Sequence, residues 1–211
     1  MKRLAPFFFG VLVLLTSTRL RGDTTLVFNE IMYHPAVNEP AMEWIEFHNQ
    51  LACDLDVSGW RVTGGIDYTF PNGSVIRGRG FAVLAINPGA LAAQTGLTNI
   101  YGPFTGRLDN AGEQLNLRNN SDRLMDSVNY DVNGNWPVGP DGSGVSLAKR
   151  DRNTASGPAE NWTFSEQTGG TPGADNFPLV GVAIPDTSLV SFESDWKYNA
   201  AGQDLDRKSV V

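Results

Sequence analysis

The chain has 211 residues, and 16 basic against 23 acidic side chains give it a net charge of −7. That balance disfavours phosphate backbones, whose non-specific binding needs concentrated positive charge. Its 23 glycines and 12 prolines are scattered throughout and without collagen period, which suits short strands rather than long helices. The single cysteine, Cys53, leaves no internal disulfide, so stability must come from a core that about 150 residues can supply.

Residues 1–22 read as a signal peptide. Lys2 and Arg3 form a positive start, and Leu4 to Leu15 is an apolar run too short to span a bilayer. Cleavage is placed after Gly22; a retained anchor is the alternative, given Arg19 and Arg21 behind the run. The protein is therefore expected to be secreted or held at the cell surface, touching membrane only through this segment if it stays uncleaved. Arg21-Gly22-Asp23 spells an integrin-binding tripeptide, but it straddles the cleavage point and is read as coincidence. The mature chain keeps twelve basic and 23 acidic residues, a net charge of −11, and no nucleic-acid partner is expected.

Leu26 to Met32 reads as the first strand, ended by Tyr33-His34-Pro35, because a residue before proline is pushed out of regular structure. Glu30, lodged among apolar neighbours, is read as a group that caps a bend or pairs across strands, with a ligand or acid as the alternative. From Glu43 to Trp60, Ile45 and Phe47 alternate with Trp44, Glu46 and His48, the period of a half-buried strand with His48 on its solvent side. Leu55 and Val57 repeat the alternation, and Trp60 anchors the core after the Ser58-Gly59 turn. Cys53 has no basic neighbour to lower its pKa and is expected to be a small buried hydrophobe.

Gly64-Gly65 signals a hairpin between Arg61–Thr63 and Asp67–Phe70. Gly80 to Ile86 is apolar without alternation, as expected of a strand covered on both faces. Pro88 to Thr95 permits one short helix, stopped by Gly96. Glu113–Arg118 and Leu124–Tyr130 flank a polar turn and predict a second hairpin. Asp131-Val-Asn133-Gly-Asn135 opens like a calcium loop, but Trp136 and Gly142 stand where that loop needs Gly and a bidentate Glu. A turn built on side-chain hydrogen bonds is the favoured reading. Val145–Lys149 and Asn161–Ser165 supply the last strands, with Trp162 closing the core. Arg77-Gly-Arg79 and Lys149-Arg150-Asp-Arg152, the basic clusters, are expected to be solvated turns.

Asn29-Glu30-Ile31-Met32-Tyr33-His34-Pro35, Glu43-Trp44-Ile45-Glu46-Phe47-His48-Asn49 and Asp56-Val57-Ser58-Gly59-Trp60 resemble the signature of the lamin tail domain in its bacterial, secreted form. Asp67-Tyr68-Thr69-Phe70-Pro71, Gly112-Glu113-Gln114-Leu115 and Gly170-Thr171-Pro172-Gly173 follow in the same order. The resemblance covers residues 25–177. It implies an all-β, immunoglobulin-like β-sandwich of about nine short strands, and a family that mostly serves as interaction modules. It transfers no catalytic residues.

The expected organisation is a signal peptide at 1–22, the sandwich at 23–177, and at 178–211 a linker with the truncated start of a further β-module. His34 and His48 lie on separate segments, and no paired metal motif, phosphate loop or Gly-x-Ser-x-Gly elbow occurs. No catalytic, cofactor-binding or metal-ligating residue is assigned, and no enzyme activity or cofactor is expected. The function read from the sequence is an exported interaction or surface-targeting module of a larger protein, with an unknown protein or cell-surface partner. One alternative is a carbohydrate- or matrix-binding sandwich stacking sugars on Trp44, Tyr68, Tyr101 or Trp136. Another is the accessory arm of a secreted kinase of spore-coat type or a phosphoesterase, whose catalytic part lies beyond this chain.

Overall fold

A computed structural model describes residues 25–178. The proposed signal peptide, its cleavage point, the Arg21-Gly22-Asp23 tripeptide and the tail from 179 onward lie outside the described residues. Nine strands of three or more residues carry the fold: β1 (Leu26–Met32), β2 (Trp44–Asn49), β4 (Arg61–Thr63), β5 (Ile66–Thr69), β7 (Phe81–Ala85), β10 (Gly112–Arg118), β11 (Leu124–Asp131), β12 (Leu147–Lys149) and β13 (Trp162–Phe164). Four two-residue pieces complete the pairing, β3 (Leu55–Asp56), β6 (Val75–Ile76), β8 (Ile100–Tyr101) and β9 (Thr105–Gly106). The all-β, immunoglobulin-like sandwich expected from the sequence is what forms.

One sheet has the order β13-β12-β1-β2-β7-β8 and the other β11-β10-β4-β5-β9, with β3 and β6 paired apart. All pairs are antiparallel except β7 with β8. Both predicted hairpins form, β4 with β5 around Gly64-Gly65 and β10 with β11 around Asn119–Asp122. Between the sheets lie Phe28, Ile31, Ile45, Phe47, Val62, Leu84, Leu115, Leu117, Val128, Trp60 and Trp162, all buried in one cluster. Burying an aromatic ring of this size removes roughly 150–250 Å² from water, so the two tryptophans and Phe47 contribute heavily to the driving force.

β2 is buried at every position, where its alternation predicts a half-buried strand. The reason is a second layer on the outer face of the six-stranded sheet. Helix α1 (Pro88–Thr95) lies there, and its Leu91 packs with Met32, Met42, Trp44, Val83 and Ala85. The helix starts and stops where the sequence predicts. The Asn87 side chain accepts from Ala90 N at 3.1 Å, Pro88 occupies the first turn, and Gly96 ends it at φ +77° with its N–H bonded to Ala92 O.

β1 contains a bulge. Phe28 pairs with Phe47 and Glu30 with Glu46, so Asn29 is the extra residue. Leu26, Phe28 and Ile31 all reach the core, a spacing that strict alternation cannot satisfy. The inserted residue restores the phase and sends Glu30 to the outer face.

Candidate functional site: a carboxylate clasp and the groove beside it

On the outer face of β1 and β2, beyond the apolar patch under α1, the pleat places Glu30, Glu46 and His48, all fully buried. The segment Gly169–Asn176 closes over the two carboxylates as a strap. Thr171 donates its N–H to Glu30 Oε1 and its hydroxyl to Oε2, both at 2.9 Å, and Ser146 donates its hydroxyl to Oε1. Glu46 Oε2 accepts the Gly173 N–H at 2.5 Å and Oε1 accepts Asn29 Nδ2 at 2.8 Å. Asn176 reaches under the strap and donates to the carbonyls of Asn29 at 3.1 Å and Lys149 at 3.0 Å.

Every carboxylate oxygen of this pair is therefore bonded, and among the described residues no cation lies within ion-pair distance of either. Burial pushes both acids above the usual carboxylate range, the neighbouring Glu30 charge raises Glu46 further, and the hydrogen bonds oppose the rise in each. The strap seals the pair from solvent, so the arrangement holds backbone in place and presents no face to a substrate. Glu30 thus bonds backbone at the strap, in keeping with the capping role that the sequence reading favours.

Two other buried groups join this scaffold. Asp126 on β11 accepts Phe28 N at 2.9 Å and Ser156 Oγ at 2.5 Å, tying the second sheet to the bulge. Lys149 donates to Thr154 O at 2.6 Å and lies 5.7 Å from the centre of the Trp162 ring. Burial lowers its pKa to about 8, against the pull of Asp126 and Asp151. Lys149 is buried, a correction to its expected place in a solvated turn: its strand runs inside the sandwich, where the ring and a carbonyl receive the ammonium.

His48 also departs from expectation. It is buried rather than on a solvent face, because Phe81 lies 5.0 Å from its ring and the outer layer covers β2. Nδ1 sits 3.2 Å from Gly80 O while Nε2 has no partner, and burial followed by the nearby Arg152 charge holds the imidazole down at about 4. Cys53, expected inside, is exposed: the carbonyls of Cys53, Ile76 and Arg77 all turn in to Asn49 Nδ2, and the thiol points away. Asp131 Oδ1 accepts the N–H groups of Val132 and Asn133, the side-chain-bonded turn of the sequence reading. Among the described residues no group of three His, Cys, Asp or Glu is placed to hold a metal ion.

A family model, the Lamin Tail Domain, matches residues 21–131. The chain belongs to the lamin tail domain family. Among curated proteins none matches it. The matched stretch includes Glu30 and Glu46, whereas their partners Ser146, Thr171 and Gly173 lie after it in the chain, as do β12 and β13. The separated motifs that carry the resemblance to lamin tail domains, Asn29-Glu30, Glu46 and Gly170-Thr171-Pro172-Gly173, meet in this one clasp.

Beside the strap, on the α1 side, a shallow groove of about 40 Å³ is open at the surface. Trp44, Met32 and Met42 line it, Pro35, Ala36 and Val37 add one wall, and Thr168, Gly169, Gly144 and Gln94 complete the rim. Val37 stands 63% exposed at its edge. The aromatic platforms required by a sugar-binding sandwich take other positions. Trp44 is buried, Trp136 is half-buried with its ring centre 6.3 Å from that of Trp162, and the half-buried rings of Tyr68 and Tyr101 pack edge-on against Phe70. The sequence alone misses Glu46, Asn29 and Asn176 as a unit; the one signal for it is the broken apolar phase between Phe28 and Ile31.

Proposed function

We propose that this lamin tail domain is a non-catalytic, exported module that attaches a larger protein to a protein partner, which it engages at the groove beside Trp44. Family membership carries the reading, since the family is one of immunoglobulin-like interaction domains. The buried ionisable groups on the outer sheet face support it, because strap and strands engage them. A cavity volume of about 40 Å³ falls far below the roughly 300–1,000 Å³ of small-molecule sites, so the groove offers a shallow apolar contact for a side chain of an extended protein segment. An exposed aliphatic edge over a buried aromatic floor is the arrangement that concentrates binding energy at interfaces. Export rests on the pattern of residues 1–22, and a mature charge of −11 turns the module away from nucleic acid. We place the module at 23–177 and assign 178–211 to a linker and the start of a following module.

Photo-crosslinking tests the reading. A photoreactive residue at Val37 of the secreted protein should capture one discrete protein at the cell surface, whereas the same residue at the exposed Val75 should not. Val37→Glu should abolish that capture in competition. Equal labelling from both positions, or capture that survives Val37→Glu, would remove the groove as the docking site.

A further inference from the structure

The sequence holds two Asn-Gly pairs, Asn72-Gly73 and Asn133-Gly134, and the fold treats them differently. Such a pair can react with itself, because glycine leaves its amide nitrogen unshielded and its backbone free to turn. Asn72 and Gly73 form the tip of the turn between β5 and β6. Both are exposed, and a Cβ added at Gly73 would meet nothing within 4 Å. Main-chain donors close this turn: Ser74 N–H to Pro71 O at 3.2 Å and Gly73 N–H to Ser58 Oγ at 2.9 Å. Neither bond holds the Asn72 side-chain amide. Asn133 is exposed as well, but its Nδ2 donates to Asp131 Oδ1 at 3.2 Å and its own N–H donates to the same oxygen at 2.9 Å. Asp131 therefore fixes that side chain and sets a negative charge beside it, which opposes loss of a proton from the neighbouring Gly134 amide.

We propose that Asn72 is a self-modification site, converting through a cyclic imide to aspartate and isoaspartate, with Ser58 as its restraint. Loss of the Gly73 amide proton to hydroxide frees the nitrogen, which attacks Asn72 Cγ. The N–Cγ bond forms, the Cγ–Nδ2 bond breaks, and the side-chain amide leaves as ammonia with a proton from water. Water then opens the ring. Cleavage of N–Cγ restores the main chain with aspartate at 72, while cleavage at the main-chain carbonyl reroutes the chain through Cγ as isoaspartate. Nothing is oxidised or reduced: an amide and a water become a carboxylate and an ammonium ion. The first step needs the Gly73 nitrogen clear of Ser58 Oγ and the Pro71–Ser74 turn open, so those two bonds set the rate. The consequence falls on the core anchor. Ser74 O accepts Val57 N–H and Phe70 O accepts Gly59 N–H, both at 2.9 Å, so this turn seats the segment that leads into Trp60. Isoaspartate lengthens the main chain of that turn, and either product adds a negative charge.

Peptide mapping by mass spectrometry of the whole folded chain, kept at mildly alkaline pH, tests this. The fragment with Asn72 should gain the mass of an amide-to-acid change ahead of the fragment with Asn133. Part of it should accept methyl groups from an isoaspartyl methyltransferase. Ser58→Ala should speed the conversion several-fold, and Asn72→Gln should remove it. In denaturant, where neither the turn nor Asp131 restrains the chain, both pairs should convert at similar rates, which sets the scale for the folded protein. Conversion of Asn133 first in the folded chain, or an Asn72 that stays intact after the denatured chain has converted, would overturn the proposal. An unchanged rate in Ser58→Ala would overturn the restraint.

Discussion

Glu30 and Glu46 show how two acids can serve a fold without serving a reaction. Each is buried against a desolvation penalty, and each offsets part of it by accepting N–H and O–H groups that the strap would otherwise leave unpaired. His48 is the neutral counterpart on the same strand. Its imidazole is held at about 4 against an ordinary 6.5, so the folded state favours the uncharged ring. That contribution is present above 6.5 and lost as pH falls through about 4, opposite in sign to the buried carboxylates. Between pH 6.5 and 4, urea unfolding of the wild type should lose up to about 3 kcal/mol more than His48→Gln, because each tenfold change in proton affinity is worth about 1.4 kcal/mol. Parallel losses in the two proteins would show that another group titrates. The sequence does not reveal this burial, because Trp44-Ile45-Glu46-Phe47-His48 alternates as a strand with one wet face would. Residues distant in sequence cover that face: Leu91 of the helix at Trp44, the strap at Glu46 and Phe81 at His48.

The strap is the element that turns a two-layer sandwich into a sealed one, and Gly170 is where it fits most tightly. Its φ is +73°, and a Cβ there would stand 2.6 Å from Glu30 Oε1 and 2.9 Å from both Ser146 Oγ and Trp44 Cζ2. Gly170→Ala should cost about 2–4 kcal/mol, combining backbone strain with overpacking. Gly73 is the control: its φ is +82° with nothing within 4 Å of an added Cβ, so Gly73→Ala should cost about 1 kcal/mol, from backbone conformation alone. Equal effects in denaturant unfolding would mean the strap does not press on the clasp. Other elements are legible in local chemistry. Helix α1 is readable because a cap, a proline and a stop glycine bracket eight residues, and the Gly64-Gly65 hairpin because its turn residues permit few alternatives. The bulge at Asn29 escapes a reading by alternation, although the spacing of Leu26, Phe28 and Ile31 encodes it.

Across the whole molecule, strands that are far apart in sequence complete one sheet. β12 pairs with β1 at Glu30↔Ala148 and Ile31↔Leu147, and β13 pairs with β12 and carries Trp162 into the core. The family resemblance implies the sandwich and a closing motif at Gly170–Gly173. The partners of that motif emerge only in the folded chain, since no local pattern links Thr171 to Glu30 across 141 residues. Thermal melting of two truncations tests the central claim, that the lamin-tail signature residues build a clasp that completes the domain. Removing residues 179–211 should leave the melting temperature of the mature protein within about 2–4 °C, the shift expected for roughly 1 kcal/mol at this size. Removing residues 168–211 strips Glu30 and Glu46 of their strap donors and should lower the midpoint by more than about 10 °C or abolish the cooperative transition. A protein ending at residue 167 that melts like the longer truncation would contradict the account.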